Sequence, residues 1–175
     1  MARLDYADLS DPAAAALTRQ ILEERGTILH LYQMLLHSPP VAKGWLAYLT
    51  AIRQQTGLSG ALREMLIVRI AYLNRAPYEA EQHEPIALKE GVSPPQLRAL
   101  AGSKLSGDVF DAPALAALHY ADAMTRDIQV PDAVYESLSA HFGPREIVEI
   151  TATVAAYNMV SRFLEALQIH SGDPR

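Results

Sequence analysis

The sequence predicts an all-α protein, a single-domain helical bundle covering residues 1–175. Three observations carry that prediction. Glycine and proline cut the chain into pieces of helical length, no stretch alternates apolar and polar residues as a half-buried strand does, and no Asn-Gly or Asp-Gly pair marks a hairpin. Half of the side chains are apolar, enough for one substantial core in a chain of this length.

The first helix is expected from about Pro12 to Arg25. A second runs from Thr27 to about His37, where Ser38-Pro39-Pro40 stops it, and a third continues to about Thr56. Ser59 is a good N-cap for a helix reaching about Leu73, in which Leu62, Leu66, Ile70 and Leu73 form one apolar stripe. Met65, Ile67 and Val68 widen that stripe until the helix is apolar nearly all round. Such a helix belongs in the core, with Glu64 and Arg69 as its polar exceptions.

Pro77 suits the first turn of the next helix, which ends near Glu90 and Gly91. Ser93-Pro94-Pro95-Gln96 reads as a capping box opening a short helix, and 102–111 is the most loop-like stretch. Helices then follow at about Ala112 to Arg126, Pro131 to His141, and Pro144 to Ile169, with a frayed tail at 171–175. Arg63-Glu64 with its apolar run returns as Arg145-Glu146 with another. Two related helical halves would produce that echo, and so would two buried helices that each enter through an Arg-Glu first turn.

Composition removes several classes of function. A net charge of −5 without a Lys/Arg cluster argues against nucleic acid, whose phosphates demand concentrated positive charge. With no cysteine there is no disulfide, thiolate metal site, iron–sulfur cluster or cysteine nucleophile. The first residues carry acids where a secretory signal needs an apolar core, so the default expectation is a cytoplasmic location. The longest apolar runs are broken by Arg69 and Glu149, short of the roughly 20 residues of a membrane span. Glycine-rich phosphate loops, G-x-S-x-G elbows and dinucleotide fingerprints are missing as well.

What remains is acid–base chemistry. Glu79 and His83 lie four apart on one helix, so they share a face and can touch; a carboxylate beside an imidazole fixes its tautomer and raises its basicity. A solvated surface pair has the same spacing. Glu64 stands one helix earlier among Met65, Leu66, Ile67 and Val68, where an isolated carboxylate charge is disfavoured unless a cation or donor offsets it. A structural role would make it a helix-start carboxylate or the partner of an arginine such as Arg69. Periodicity does not bring Glu64 to the other two. Glu79 and His83 also could supply two ligands to a metal, but no dense ligand spacing completes such a site, and none is expected. Trp45, Tyr48, Tyr72 and Tyr78 are aromatic candidates for lining a pocket, against a default role in packing.

Taken together, Leu62-Arg63-Glu64-Met65-Leu66-Ile67-Val68-Arg69, the stretch from Tyr78 through Glu79 and His83 to Ala87, and Glu90-Gly91-Val92-Ser93 resemble the core of the carboxymuconolactone decarboxylase family. The resemblance covers about residues 58–100. That family lies within the alkylhydroperoxidase D-like superfamily, whose redox motif is a glutamate, a Cys-x-x-Cys pair, and a histidine four residues after the second cysteine. Glu64 and His83 match the outer members. Ala76 and Glu79 occupy the cysteine positions, so the thiol relay of the peroxidase branch cannot operate, and a peroxiredoxin-like label is not supported.

The cysteine-free decarboxylase branch has a glutamate four residues before the histidine, where Glu79 stands. The resemblance therefore implies a cofactor-independent decarboxylase, or a lactone or enol isomerase, acting on a small carboxylated substrate of the aromatic-catabolism type. His83 is the implied proton donor, Glu79 orients it, and Glu64 relays or tunes charge. Arg69 and Arg75 are candidate cations for the substrate carboxylate, neither carried over from a motif, and Tyr78 is a further candidate contact. The resemblance also implies a homo-oligomer, commonly a trimer or hexamer, with a dimer as another possibility. The alternative is a non-catalytic oligomeric member of the fold that binds a small ligand.

Overall fold

The computed structural model describes residues 1–174. Among them are nine α-helices and one π-helical turn, and no strand. The chain divides into two compact units, one formed by Met1–Gln55 with the segment from Leu164 onward, the other by Thr56–Phe163.

In the first unit α1 spans Ala15–Arg25, α2 His30–Leu35 and α3 Pro39–Thr50. The first helix starts three residues later than its apolar pattern suggests. The Asp11 carboxylate accepts the Ala13 amide at 2.8 Å and the Asp11 carbonyl accepts that of Ala14 at 3.1 Å, so a side-chain-stabilised turn takes up that segment. Gly26, at φ 75°, ends α1 by donating its amide to Leu22. The third helix stops being α-helical at Thr50 and continues as a π turn over Ala51–Gln55, a widening the apolar pattern does not foreshadow. Ile21, Ala42 and Leu46 are fully buried in this unit.

The expectation of a frayed tail is overturned for its described part. Asp173 is buried, and its carboxylate accepts the Tyr6 hydroxyl at 2.7 Å and the His170 amide at 3.0 Å. Its carbonyl oxygen meets the His30 ring at 3.1 Å. Desolvation works against the Asp173 charge, but these hydrogen bonds and the Met1 ammonium outweigh it and hold the carboxyl at about 2. Arg175 lies outside the described residues.

The second unit contains α4 (Gly60–Asn74), α5 (Pro77–Lys89), α6 (Pro94–Leu100), α7 (Ala112–Asp127), α8 (Asp132–Ser139) and residues 144–163 of α9 (Pro144–Leu167). The Ser59 hydroxyl accepts the Leu62 amide at 3.2 Å, as an N-cap should. Leu66, Ile67, Val68 and Ile70 are wholly buried because α4 packs against α5, α6 and α7 at once. An all-round apolar surface is the sequence form of that position. Arg75 closes α4 in the left-handed region at φ 54°, and Pro77 opens α5 two residues later. Pro85 lies inside α5 and removes one helical hydrogen bond there. Ser93 and Gln96 form the expected reciprocal cap of α6, and Asp111 caps α7 through the Ala114 amide.

The two Arg-Glu dipeptides sit differently. Glu64 is buried, whereas exposed Glu146 accepts the Gly143 amide at the start of its own helix and Arg145 pairs with Glu149.

Candidate functional site

Helices α4, α5 and α9 each contribute to one buried polar cluster in the second unit. From α4 comes Glu64, with no exposed surface. Its Oε2 accepts the His83 Nδ1–H at 2.7 Å, and its Oε1 accepts from Arg63 Nε at 3.2 Å. Both carboxylate oxygens are therefore engaged, one by a permanent cation and the other by an imidazole that can gain or lose a proton. A carboxylate that holds Nδ1–H leaves Nε2 as the ring position for proton exchange. Burial of this charge is tolerable because it is both paired and hydrogen-bonded.

His83 keeps about a tenth of its side chain exposed, so the dyad lies just below the surface rather than deep in the core. The Tyr157 ring stands edge-on to the imidazole, with centroids 5.1 Å apart and planes at 89°. That contact restrains the ring and adds an apolar wall. Glu79, 2% exposed, accepts a short hydrogen bond from the Ser161 hydroxyl. The fully buried serine orients this second carboxyl.

The register follows from helical periodicity. Glu79 and His83 are one turn apart on α5, and Tyr157 and Ser161 are one turn apart on α9, so each helix presents a pair on a single face. The pairs meet rung to rung, His83 with Tyr157 and Glu79 with Ser161. The sequence reading placed Glu79 and His83 correctly on a shared face. Periodicity gives Glu64 no route to His83 and offers Arg69 only as an example of an arginine partner; the observed partner is Arg63.

Tyr157 and Ser161 escaped the sequence reading altogether. Their only signal is an i, i+4 pair of polar-tipped residues within the apolar run of α9.

The proposed carboxylate-binding cations are located elsewhere. Arg69 is five residues beyond Glu64, roughly 140° around α4, and its guanidinium is 1% exposed. Nε and Nη2 bind Asp122 at 2.7 and 2.6 Å, while Nη1 donates to the carbonyls of Leu100 and Gly102 at 2.8 and 2.7 Å. Arg69 thus ties α4 to α7 and to the end of α6, which corrects the expectation that it serves a ligand beside His83. Arg75 is exposed at the left-handed end of α4. Tyr78 is buried in the first turn of α5. Among the described residues no three His, Cys, Asp or Glu side chains gather as a metal site requires.

Residues 39–123 match the model of the Carboxymuconolactone decarboxylase family, a span wider than the 58–100 core legible in the sequence. No curated protein matches the chain. Among solved structures, an uncharacterized peroxidase-related protein with an alkylhydroperoxidase AhpD core from Ralstonia eutropha JMP134 superposes with a TM-score of 0.83 at 21% identity, covering 98% of this chain and 93% of that one. An uncharacterized peroxidase-related protein from Silicibacter sp. TM1040 gives 0.81 at 21% identity over 97% and 91% of the two chains. The debrominase Bmp8, as a cysteine-to-alanine variant in complex with 2,3,4-tribromopyrrole, gives 0.81 at 16% identity over 97% and 93%. At these identities the likeness is one of fold. Residues 39–123, which hold Glu64, Glu79 and His83, thus match the carboxymuconolactone decarboxylase family, and the chain has the fold of the alkylhydroperoxidase D-like proteins.

Proposed function

We propose that this protein is a cofactor-independent acid–base enzyme, a decarboxylase or a related lactone or enol isomerase, acting on a small carboxylated ring compound. The observation that supports this reading best is the Glu64–His83 hydrogen bond, 2.7 Å long and buried at its carboxylate end, with the imidazole near the surface. Glu64 holds the imidazole in one tautomer and compensates the imidazolium when it forms, which is the work a carboxylate does behind a general acid or base. With no thiol anywhere in the chain, peroxide reduction through cysteine has no nucleophile.

In the decarboxylation the bond between the ring carbon and the carboxylate carbon breaks. Carbon dioxide leaves, and the electron pair enters the conjugated system to give a dienolate. The imidazolium of His83 then protonates carbon from its Nε2, and solvent returns the proton to the ring. Glu79, fixed by Ser161, stands one helical turn away and supports the charge of the imidazolium. An isomerase would use the same Nε2 position to remove a proton from one carbon and return it to another, without loss of carbon dioxide. A protein of this fold that binds a brominated pyrrole agrees with a small planar ring as ligand. Self-association into a trimer or hexamer is part of the proposal, as is a cytoplasmic location.

The test is a screen of carboxylated lactones and β-keto acids for carbon dioxide release and for isomerisation. Glu64→Gln, Glu79→Gln and His83→Gln serve as folded controls. Turnover that disappears with His83→Gln supports the reading, and turnover indifferent to that change eliminates it.

A further inference from the structure

The second unit holds a cavity whose lining differs in chemistry from the Glu64–His83 cluster. It has a volume of about 250 Å³, and its lining includes Arg69, Arg126, Ser103, Tyr72, Leu73 and Ala101. None of Glu64, Glu79 and His83 lines it. We propose that this cavity is a binding site for a small organic carboxylate, with Arg126 as the cation that engages it and Arg69 as the fixed positive floor.

The local charge count supports an anion. Arg69 and Arg126 share one carboxylate, Asp122, whose Oδ2 is 2.6 Å from Arg69 Nη2 and 3.8 Å from Arg126 Nη2. The lining itself carries two guanidiniums and no carboxylate; the nearby acids, Asp122 and the Glu84 that accepts from the Tyr72 hydroxyl, lie outside it. Arg69 cannot move to meet a ligand, because four of its five N–H groups are held by Asp122 and two backbone carbonyls. Those same bonds consume the carbonyls of Leu100 and Gly102 at the end of α6, which would otherwise turn partial negative charge toward an anion. Arg126 is the opposite case. Its side chain is 52% exposed, its contact with Asp122 is long, and its donors can turn to a carboxylate in the fork geometry guanidinium favours.

The remaining walls choose among anions. Ser103 brings a hydroxyl that can donate, while Leu73, Ala101 and the flank of Tyr72 present apolar surface. A bare inorganic anion would leave that surface unused. The volume is below the roughly 300–1,000 Å³ of drug-sized pockets, which points to a short acid with a compact apolar body. Because Arg69 and Glu64 project from different sides of α4, the site is independent of the acid–base reading and does not stand or fall with it.

Isothermal titration of the full chain with benzoate, and separately with inorganic phosphate, decides the matter. Wild type and His83→Gln are expected to bind benzoate saturably with equal affinity. Arg126→Gln, whose circular dichroism should match wild type, is expected to weaken binding about tenfold or more, as loss of a charge-assisted hydrogen bond does. Ser103→Ala should weaken it less, and phosphate should compete poorly. Absence of saturable benzoate binding, equal affinity in Arg126→Gln, loss of binding in His83→Gln, or phosphate binding as tightly as benzoate would each overturn the proposal.

Discussion

Helix α4 buries two charged side chains five residues apart, and they are served in different ways. Arg69 is held by two backbone carbonyls and by an aspartate that binds it bidentate. Glu64 divides its oxygens between Arg63 and His83, and an imidazole is a side chain able to take up or release a proton. A buried charge enclosed by permanent partners fastens elements together. One coupled to an imidazole at the edge of the solvent can move a proton. Burial and helix position are nearly equal for the two residues, so the titratability of the partner makes the difference.

The sharpest way to break this contrast is His83→Gln. Turnover in the substrate screen should fall by about 10²–10⁴-fold, the usual reach of general acid–base catalysis, while the chain remains folded by circular dichroism. A fall in folding with activity per folded molecule retained would put the Glu64 side in the same class as Arg69. The mirror experiment is Asp122→Ala, which strands the Arg69 guanidinium. Urea denaturation should show a loss of about 3–5 kcal/mol, the cost of breaking a buried ion pair from one side. A loss under about 1 kcal/mol would mean that α4 and α7 do not depend on this tie.

Ser161→Ala is expected to act more gently. It removes the donor to Glu79 and should cost about 1–3 kcal/mol, as an orphaned buried acceptor does; Ser161→Thr, which keeps the hydroxyl, should recover part of it. If alanine and threonine behaved alike, the hydroxyl would not be what orients Glu79.

The smallest effect concerns Tyr72, one turn from Arg69 on α4. Its hydroxyl donates a short hydrogen bond to Glu84, and this, with burial and the nearby negative charge, pushes the phenol up from 10.0 to about 12. Because the folded value is raised, the contribution to stability is complete below pH 10 and fades as pH climbs through about 12. Tyrosinate absorbance should therefore show this ring titrating late, and Glu84→Gln should return it toward 10. Titration unchanged in that variant would remove Glu84 as the cause.

Legibility in the sequence followed the range of the interaction. Ser59, Asp111 and the Ser93–Gln96 box act within three residues, and helices near them were readable from single residue types. The α5 face carrying Glu79 and His83 was readable from 3.6-residue periodicity. Glu64 reached His83 in the reading only through family resemblance, because periodicity within a helix says nothing about the crossing of two helices. Tyr157 and Ser161 were invisible, since contacts across many residues leave no local pattern. Arg69 misled because an unpaired arginine and one committed to Asp122 look the same until the fold supplies the partner.

The joint between α4 and α5 is only Arg75 and Ala76. It makes the Glu64–His83 bond a contact across 19 residues, while Glu79 waits 82 residues for Ser161. Short loops close early and long ones late. The Glu64–His83 pair is consequently a local contact of one helical hairpin, and the Glu79–Ser161 bond is the long-range one. Such a hairpin is a self-contained cassette, whose chemistry can be retuned by exchanging the residues that α9 lays across it.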